Sequence, residues 1–331
     1  MQIDIKSLNI KPIRQTYSHV ARRIGPDKPA SRYQEATFDL QPTTNFHYRP
    51  TWQPQYTIYD ENRTAIVMDD WYKLLDPRQY YYGNYVMARA RQQDAADQNF
   101  TFVEKRGLLD LMPDEVKQEV IEFIMPLRHY EWGANMNNTQ ICTFGYGTAI
   151  TGPAMFQAAD RLGMAQYITR IGLLLSGNET DVLDKAKESW LHAGKWQGLR
   201  HVVEDSFVVE DWFELYLLQN FVLDGMLHPL FFDRYEQKLN RQGGAAQAML
   251  TEFMSTWYTE SCRWVDKQLS VAAAESDANR ELLTQWYGKW IDRACESLMP
   301  LAAEMLEDGQ QVLDEIRTQL DARASKIGIN G

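Results

Sequence analysis

The chain has 331 residues, 44% of them hydrophobic, and a net charge of -11. It is long enough to bury a large core without disulfides or metal staples, and its acidity disfavours non-specific nucleic-acid binding, which needs clustered Lys and Arg to displace phosphate counterions. Cys142, Cys262 and Cys295 form no C-x-x-C pair, which argues against a disulfide framework or zinc ribbon and for the reducing cytoplasm.

Charge is unevenly spread. Residues 1–65 hold nine Lys/Arg against six Asp/Glu, leaving residues 66–331 at -14. The same head carries six of the twelve prolines and eight aromatics (Tyr17, Tyr33, Phe38, Phe46, Tyr48, Trp52, Tyr56 and Tyr59). Disordered tails are poor in aromatics, so for residues 1–65 an ordered, extended, basic, Pro-rich arm docked on another surface is preferred to a disordered tail, with Tyr17, Arg22, Arg23, Tyr48, Arg49 and Trp52 as contact candidates. Asp4, Lys6, Lys11 and Pro12 interrupt the first residues, so no apolar signal-peptide segment is expected. No run approaches the roughly 18 apolar residues that span a bilayer.

From residue 66 onward the expected unit is a helical domain, with loops marked by Pro and Gly. A first helix is expected over 77–96. A second starts at Pro113, where Asp114 and Glu115 suit the positive end of the helix dipole, with Pro126 expected to bend it. Further periodic stretches cover 131–144, 152–175, 181–199, 202–223, 245–274, 276–298 and 301–324. Strand signals are limited to 56–59 and 66–68. The stretch from Phe207 to Leu223 is apolar almost all round, which marks a helix covered on most sides. The last helices, with Leu306, Leu313, Ile316 and Leu320 as one seam, read as peripheral.

In long helical bundles a Glu and a His at i and i+3 on two helices build a carboxylate-bridged di-metal centre. Here the residues three before the six histidines are Thr16, Thr44, Pro126, Ser189, Gly198 and Gly225, so none is a carboxylate. Glu188 with His192, and Asp224 with His228, lie at i and i+4. Either pair could chelate a metal or form an ordinary helix contact, and neither has a second His or Cys in the same turn. Glu131 could be a ligand or an acid/base group, but a contact with Arg128 explains it as well. The cluster Glu204, Asp205, Glu210, Asp211 and Glu214 reads as a solvated face or a cation site. No nucleotide-binding loop or nucleophile elbow is present.

Several segments carry a longer pattern: residues 45–50 (Asn-Phe-His-Tyr-Arg-Pro), 70–72 (Asp-Trp-Tyr), 76–79 (Asp-Pro-Arg-Gln), 126–129 (Pro-Leu-Arg-His), 133–138 (Gly-Ala-Asn-Met-Asn-Asn), 160–163 (Asp-Arg-Leu-Gly), 203–205 (Val-Glu-Asp), 210–215 (Glu-Asp-Trp-Phe-Glu-Leu), 250–254 (Leu-Thr-Glu-Phe-Met) and 279–283 (Asn-Arg-Glu-Leu-Leu). Nearly end to end, they resemble the β subunit of the hydroxylase component of bacterial multicomponent monooxygenases, the phenol hydroxylase branch in particular. The resemblance implies an all-α, ferritin-like helical bundle with an extended N-terminal arm and extra C-terminal helices. It also implies a chain without its own metal, within a two-fold α2β2γ2 assembly whose α subunit carries the di-iron centre. A small effector protein and a reductase with FAD and an iron-sulfur cluster, drawing on NADH, would act on that complex.

Sought one at a time, the family's ligand positions are mostly altered. In its Asp-Glu-x-Arg-His-Gly-Gln element the counterpart is residues 160–166, with Arg161 at the glutamate position and Met164 at the histidine position. In its second Asp-Glu-x-Arg-His element the counterpart is residues 224–228, with Gly225 in place of glutamate and His228 kept. Glu131 keeps the lone glutamate of an earlier helix, and the remaining glutamate position falls near Leu191. A di-iron site needs about four carboxylates and two histidines, so the resemblance implies no iron in this chain. A buried Glu131 would need a cation, and Arg161 is the expected partner.

Overall fold

The computed structural model describes residues 16–40 and 49–329. Among them there is no strand, and no helix is long and apolar enough to cross a membrane. Two short helices, α1 (Ser18–Ile24) and α2 (Arg32–Glu35), precede the main bundle. The bundle is built from α3 (Tyr82–Lys105), α4 (Asp114–Phe123), α5 (Leu127–Phe144), α6 (Thr148–Leu175), α7 (Asp181–His192) and α8 (Gly194–Ser206). A continuous helical rod over residues 212–241 follows, composed of α9 (Trp212–Leu217), a π-helical turn (Leu218–Leu223), α10 (Asp224–Pro229), a second π-helical turn (Leu230–Tyr235) and α11 (Glu236–Arg241). Three long helices close the chain: α12 (Ala245–Glu275), α13 (Asp277–Met305) and α14 (Gly309–Lys326).

The rod is the centre of the molecule; of the two places open to the apolar stretch 207–223, a bundle centre or a subunit interface, its part in the rod takes the first. Trp212, Phe213, Leu215, Tyr216, Leu217, Leu218, Phe221 and Val222 are completely buried. The break before it falls at 207–211 because the Asp211 carboxylate accepts from the amides of Phe213 and Glu214, a cap that starts a new helix. The same carboxylate accepts from the Ala65 amide at 2.7 Å and so ties the incoming chain to the rod.

Several expected boundaries move for identifiable reasons. The helix expected over 77–96 starts at Tyr82, because Asp76 and Arg78 are locked in a buried ion pair and Gln79 adopts a φ of 53°. It continues to Lys105, with Phe100 and Val103 packed in the core. Pro126 does not bend α4; it caps the start of α5. The stretch expected over 181–199 is broken at Ala193, whose backbone is extended. Pro300 does not end α13, which runs through it against α8 and α14. The close approach of α8 to α13 requires Gly198, since a Cβ there would lie 2.7 Å from the Ser297 carbonyl oxygen. The expected strand at 66–68 lacks a neighbouring strand: the Asn279 side chain accepts from the Val67 amide and donates to its carbonyl, standing in for one. Residues 56–59 form turns.

The described part of the N-terminal arm folds onto its own chain. Val20 and Phe38 pack against Tyr72 and Ala149. Arg23 pairs with Asp39 and Asp70 at 2.6 and 2.7 Å and lies over the Tyr72 ring. The arm is therefore helical in part, and Arg23 is engaged within the chain. Tyr17, Arg22, Arg49 and Trp52 lie at the surface, Trp52 being 68% exposed. Tyr48 lies outside the described residues.

Candidate functional site: a buried charge cluster between α5, α6 and α10

The pattern of apolar residues turns one face of each of α5, α6 and α10 into the bundle, and four ionisable groups ride on those faces. Glu131 and Tyr130 come from α5, Arg161 from α6 and Asp224 from α10; Glu131, Tyr130 and Arg161 are completely buried and Asp224 is 1% exposed. Arg161 Nη1 donates to Glu131 Oε2 at 3.1 Å, and its Nη2 donates to Asp224 Oδ2. The guanidinium also lies 4.4 Å over the Trp257 ring from α12. Arginine suits this position because its planar fork serves two carboxylates at once.

Asp224 is further held by Tyr130 Oη, which donates to Oδ1 at 2.7 Å, and by Gln219 Nε2, which donates to the same oxygen at 3.2 Å and to Tyr130 Oη at 3.0 Å. Gln219 Oε1 accepts from Asn137, whose amide also donates to Ser206 Oγ, both at 2.8 Å. One buried hydrogen-bonded chain thus links α5, α6, α8, the first π-helical turn and α10. Beside it, Asp160 binds Arg89 in a two-pronged pair at 2.7 and 2.8 Å and accepts from Tyr85 Oη and Trp257 Nε1. Trp257 thereby connects the two charge clusters.

Burial raises the Glu131 carboxyl, with repulsion from Asp224 adding to it; Arg161 opposes both, and the result is pushed up to about 7. Burial and the neighbouring Arg161 hold the His228 imidazole well below its usual range, so it is neutral. The ring stacks on Tyr258 at 4.8 Å between centroids. Glu131 Oε1, Arg161 Nε and both His228 nitrogens are buried without a hydrogen-bond partner among the described residues.

A raised carboxylate pKa has a definite sign in stability. Between about 4.5 and 7 the folded state keeps a proton on Glu131 that the unfolded chain has released, so stability falls as pH rises through that window. Glu131→Gln is expected to flatten this dependence. Thermal unfolding followed from pH 5 to 8 in both forms checks it, and parallel curves would place the proton elsewhere.

The other residues marked by the sequence divide clearly. Met164 is buried in α6 and lines a cleft of about 170 Å³ with Trp257. Gly225 is closed by α14: a Cβ there would lie 2.8 Å from Leu320. Leu313, Ile316 and Leu320 form the buried seam of α14, whose opposite face is exposed, as its amphipathic pattern leads one to expect. Leu191 is half-buried on α7, and its carbonyl accepts from Arg200. Glu188 and His192 meet at 3.6 Å on the exposed side of the same helix, while Asp224 and His228 are buried; the four do not converge. Glu131 turns inward to Arg161, not to Arg128. Of the acidic cluster at 204–214, Glu204, Asp205 and Glu214 pair with Arg200, Arg293 and Lys289, Asp211 caps α9, and Glu210 is exposed. Among the described residues, no group of three or more His, Cys, Asp and Glu is placed to hold a metal ion. A di-iron centre does not fit these residues, because a permanent, fully buried cation already sits between the two carboxylates.

Residues 52–276 match the family described as methane/phenol/alkene hydroxylase. The chain is 52% identical over 329 residues to the phenol 2-monooxygenase oxygenase component DmpL of Pseudomonas sp. (strain CF600), covering 99% of this chain and 98% of that one. It is 24% identical over 306 residues, 88% of this chain and 91% of the other, to the hydroxylase component subunit beta of the toluene-4-monooxygenase system of Ectopseudomonas mendocina. Its fold superimposes with a TM-score of 0.93, at 45% identity and 99% coverage of both chains, on a chain of the xenon-pressurised phenol hydroxylase from Pseudomonas sp. OX1. The all-α, ferritin-like bundle expected from the sequence is therefore the fold. The chain belongs to the methane, phenol and alkene hydroxylase family, as a β subunit of the phenol hydroxylase type.

Proposed function

We propose that this chain is the non-catalytic structural subunit of a cytoplasmic di-iron hydroxylase complex that inserts one oxygen atom from O2 into phenol or a similar arene. The electrons come from NADH through a reductase carrying FAD and an iron-sulfur cluster, and the metal centre lies in the α subunit of an α2β2γ2 assembly. In this reading Glu131, Arg161, Met164, Leu191, Gly225 and His228 occupy former ligand positions. The observation that carries it is the Arg161 guanidinium held between Glu131 and Asp224. It supplies the positive charge that a metal would bring, and it leaves neither carboxylate free to bind one.

Iron measured on the purified chain alone, against the chain co-purified with a partner bearing two Glu-x-x-His helices, tests the proposal. Sub-stoichiometric iron alone and a full complement in the complex are expected. Stoichiometric iron in the isolated chain would make it an oxygenase in its own right, and a chain that remains a soluble monomer beside such a partner would make it a free-standing helical protein.

The arm extends the same reading. Its basic balance complements an acidic surface on a neighbouring subunit, where such complementarity fixes register more than it adds affinity. Removing residues 1–40 is expected to weaken assembly, seen as a loss of the full complex mass by native mass spectrometry. A truncated chain that assembles like the parent would assign residues 1–40 to the chain's own packing alone.

A further inference from the structure

The cleft of about 170 Å³ that Met164 lines lies between α3, α6 and α12, and nothing in the role proposed above uses it. Four aromatic rings, Tyr85, Tyr167, Phe253 and Trp257, supply much of its wall. Their neighbours hold them in place: Tyr85 stacks on Phe156 with centroids 4.3 Å apart, Tyr167 lies 4.4 Å from Phe253, and Trp257 Nε1 donates to Asp160 at 2.8 Å. A cavity of about 150 Å³ among apolar side chains is enough to take up benzene, so the space fits one small ring. Two charged residues face the cleft, Arg89 and Asp160, and each is already saturated. Arg89 directs all its N–H donors to protein oxygens: Nε and Nη2 to Asp160 at 2.8 and 2.7 Å, Nη1 to Gln92 and Glu260 at 3.2 and 3.1 Å, and Nη2 to Glu260 at 3.0 Å. Asp160 accepts from Arg89 Nε and Nη2, Tyr85 Oη and Trp257 Nε1, which fills its lone-pair sites. An ion of either sign therefore finds no partner there.

We propose that this cleft binds one small neutral hydroxyarene, its ring against Trp257 and Phe253 and its hydroxyl toward Tyr85 and Gln93. The polar capacity left in the cleft suits a hydroxyl. Tyr85 Oη has given its hydrogen to Asp160 at 2.9 Å and keeps acceptor capacity, and Gln93 brings an exposed carboxamide to the rim. Aromatic walls favour a flat ring through offset-stacked and edge-to-face contacts, and an apolar pocket with a few placed polar groups is the usual form of a small-molecule site. On the α6 wall Gly163 leaves open space, with no heavy atom within 4 Å of where its Cβ would stand. The choice of phenol as ligand rests on the function proposed above; the size and neutrality of the cleft are independent of it.

The test titrates 4-fluorophenol into the full-length chain and follows it by fluorine NMR, with circular dichroism of each variant. Saturable binding in the millimolar range or tighter is expected, displaced by phenol and at least tenfold less well by the anion 4-hydroxybenzoate. Gly163→Leu puts a side chain into the open space, and Ala159→Trp does so from an exposed position on the same wall. Each should weaken binding at least tenfold with helicity and melting kept. Gln93→Leu should weaken 4-fluorophenol severalfold and leave fluorobenzene unchanged, and Leu111→Glu, at a 78% exposed position before α4, should change neither. No saturable binding, or binding untouched by both wall variants, would overturn the proposal and leave the subunit reading intact. A 4-hydroxybenzoate that competes as well as phenol would overturn the neutral-ligand assignment. A chain that binds 4-fluorophenol as expected yet assembles with no partner would overturn the subunit reading alone.

Discussion

Arg161→Ala should cost the folded chain about 3 to 5 kcal/mol, the usual result of removing one partner from a buried ion pair. The loss is not that of two hydrogen bonds. It strands Glu131 and Asp224, both fully buried, with no cation between them, and it empties the space against Trp257. Two further measurements separate charge from packing. The deficit should shrink as pH falls, because protonation removes the stranded charge. Replacing the cluster as a unit, with Arg161→Met, Glu131→Gln and Asp224→Asn together, should recover most of the stability, because a well-packed neutral substitute often matches a buried ion pair. Thermal unfolding of the single and triple variants decides between these outcomes, and an unchanged midpoint in Arg161→Ala would remove the cluster from any account of the fold.

On the ligand-position correspondence proposed above, Gly225→Glu would restore a glutamate, yet it is expected to destabilise the chain by roughly 3 to 5 kcal/mol and to bind no iron. Leu320 of α14 stands where the new side chain would go, and overpacking a filled core is itself destabilising. The added carboxylate would also be buried near Asp224 with Arg161 already committed. Iron content together with the unfolding midpoint reads both parts. A stable variant that took up iron would mean α14 yields easily and the position remains open.

How far these features were legible in the sequence follows from what periodicity encodes. The Glu131 and Arg161 pair was accessible because each replaced or kept a charged residue in a position with a known inward direction. Asp224 was not. Spacing of i and i+4 put it on one face with His228 but did not say that Tyr130, Gln219 and Arg161 would claim the carboxylate from other helices. The position near Leu191 was less legible for a related reason: the break at Ala193 falls inside a stretch that reads as one helix, so residues before and after it answer to different packing. The first part of the rod was legible as a covered helix, at a bundle centre or a subunit interface, because the stretch from Phe207 to Leu223 is apolar almost all round. The rod's two π-helical turns and its extension through Pro229 were not, since they depend on neighbours rather than on composition. The 66–68 segment shows the same limit, because an Asn279 side chain over 200 residues away imitates a strand.

The arginine at the heart of the bundle also separates this chain's fate from nutrient supply. A metal can be withheld, chelated or oxidised away, whereas a guanidinium is built in by translation and stays charged at any physiological pH. In the assembly proposed above, iron starvation would empty the catalytic neighbour while leaving this framework folded, so reloading would start from an intact cradle and not from a collapsed one.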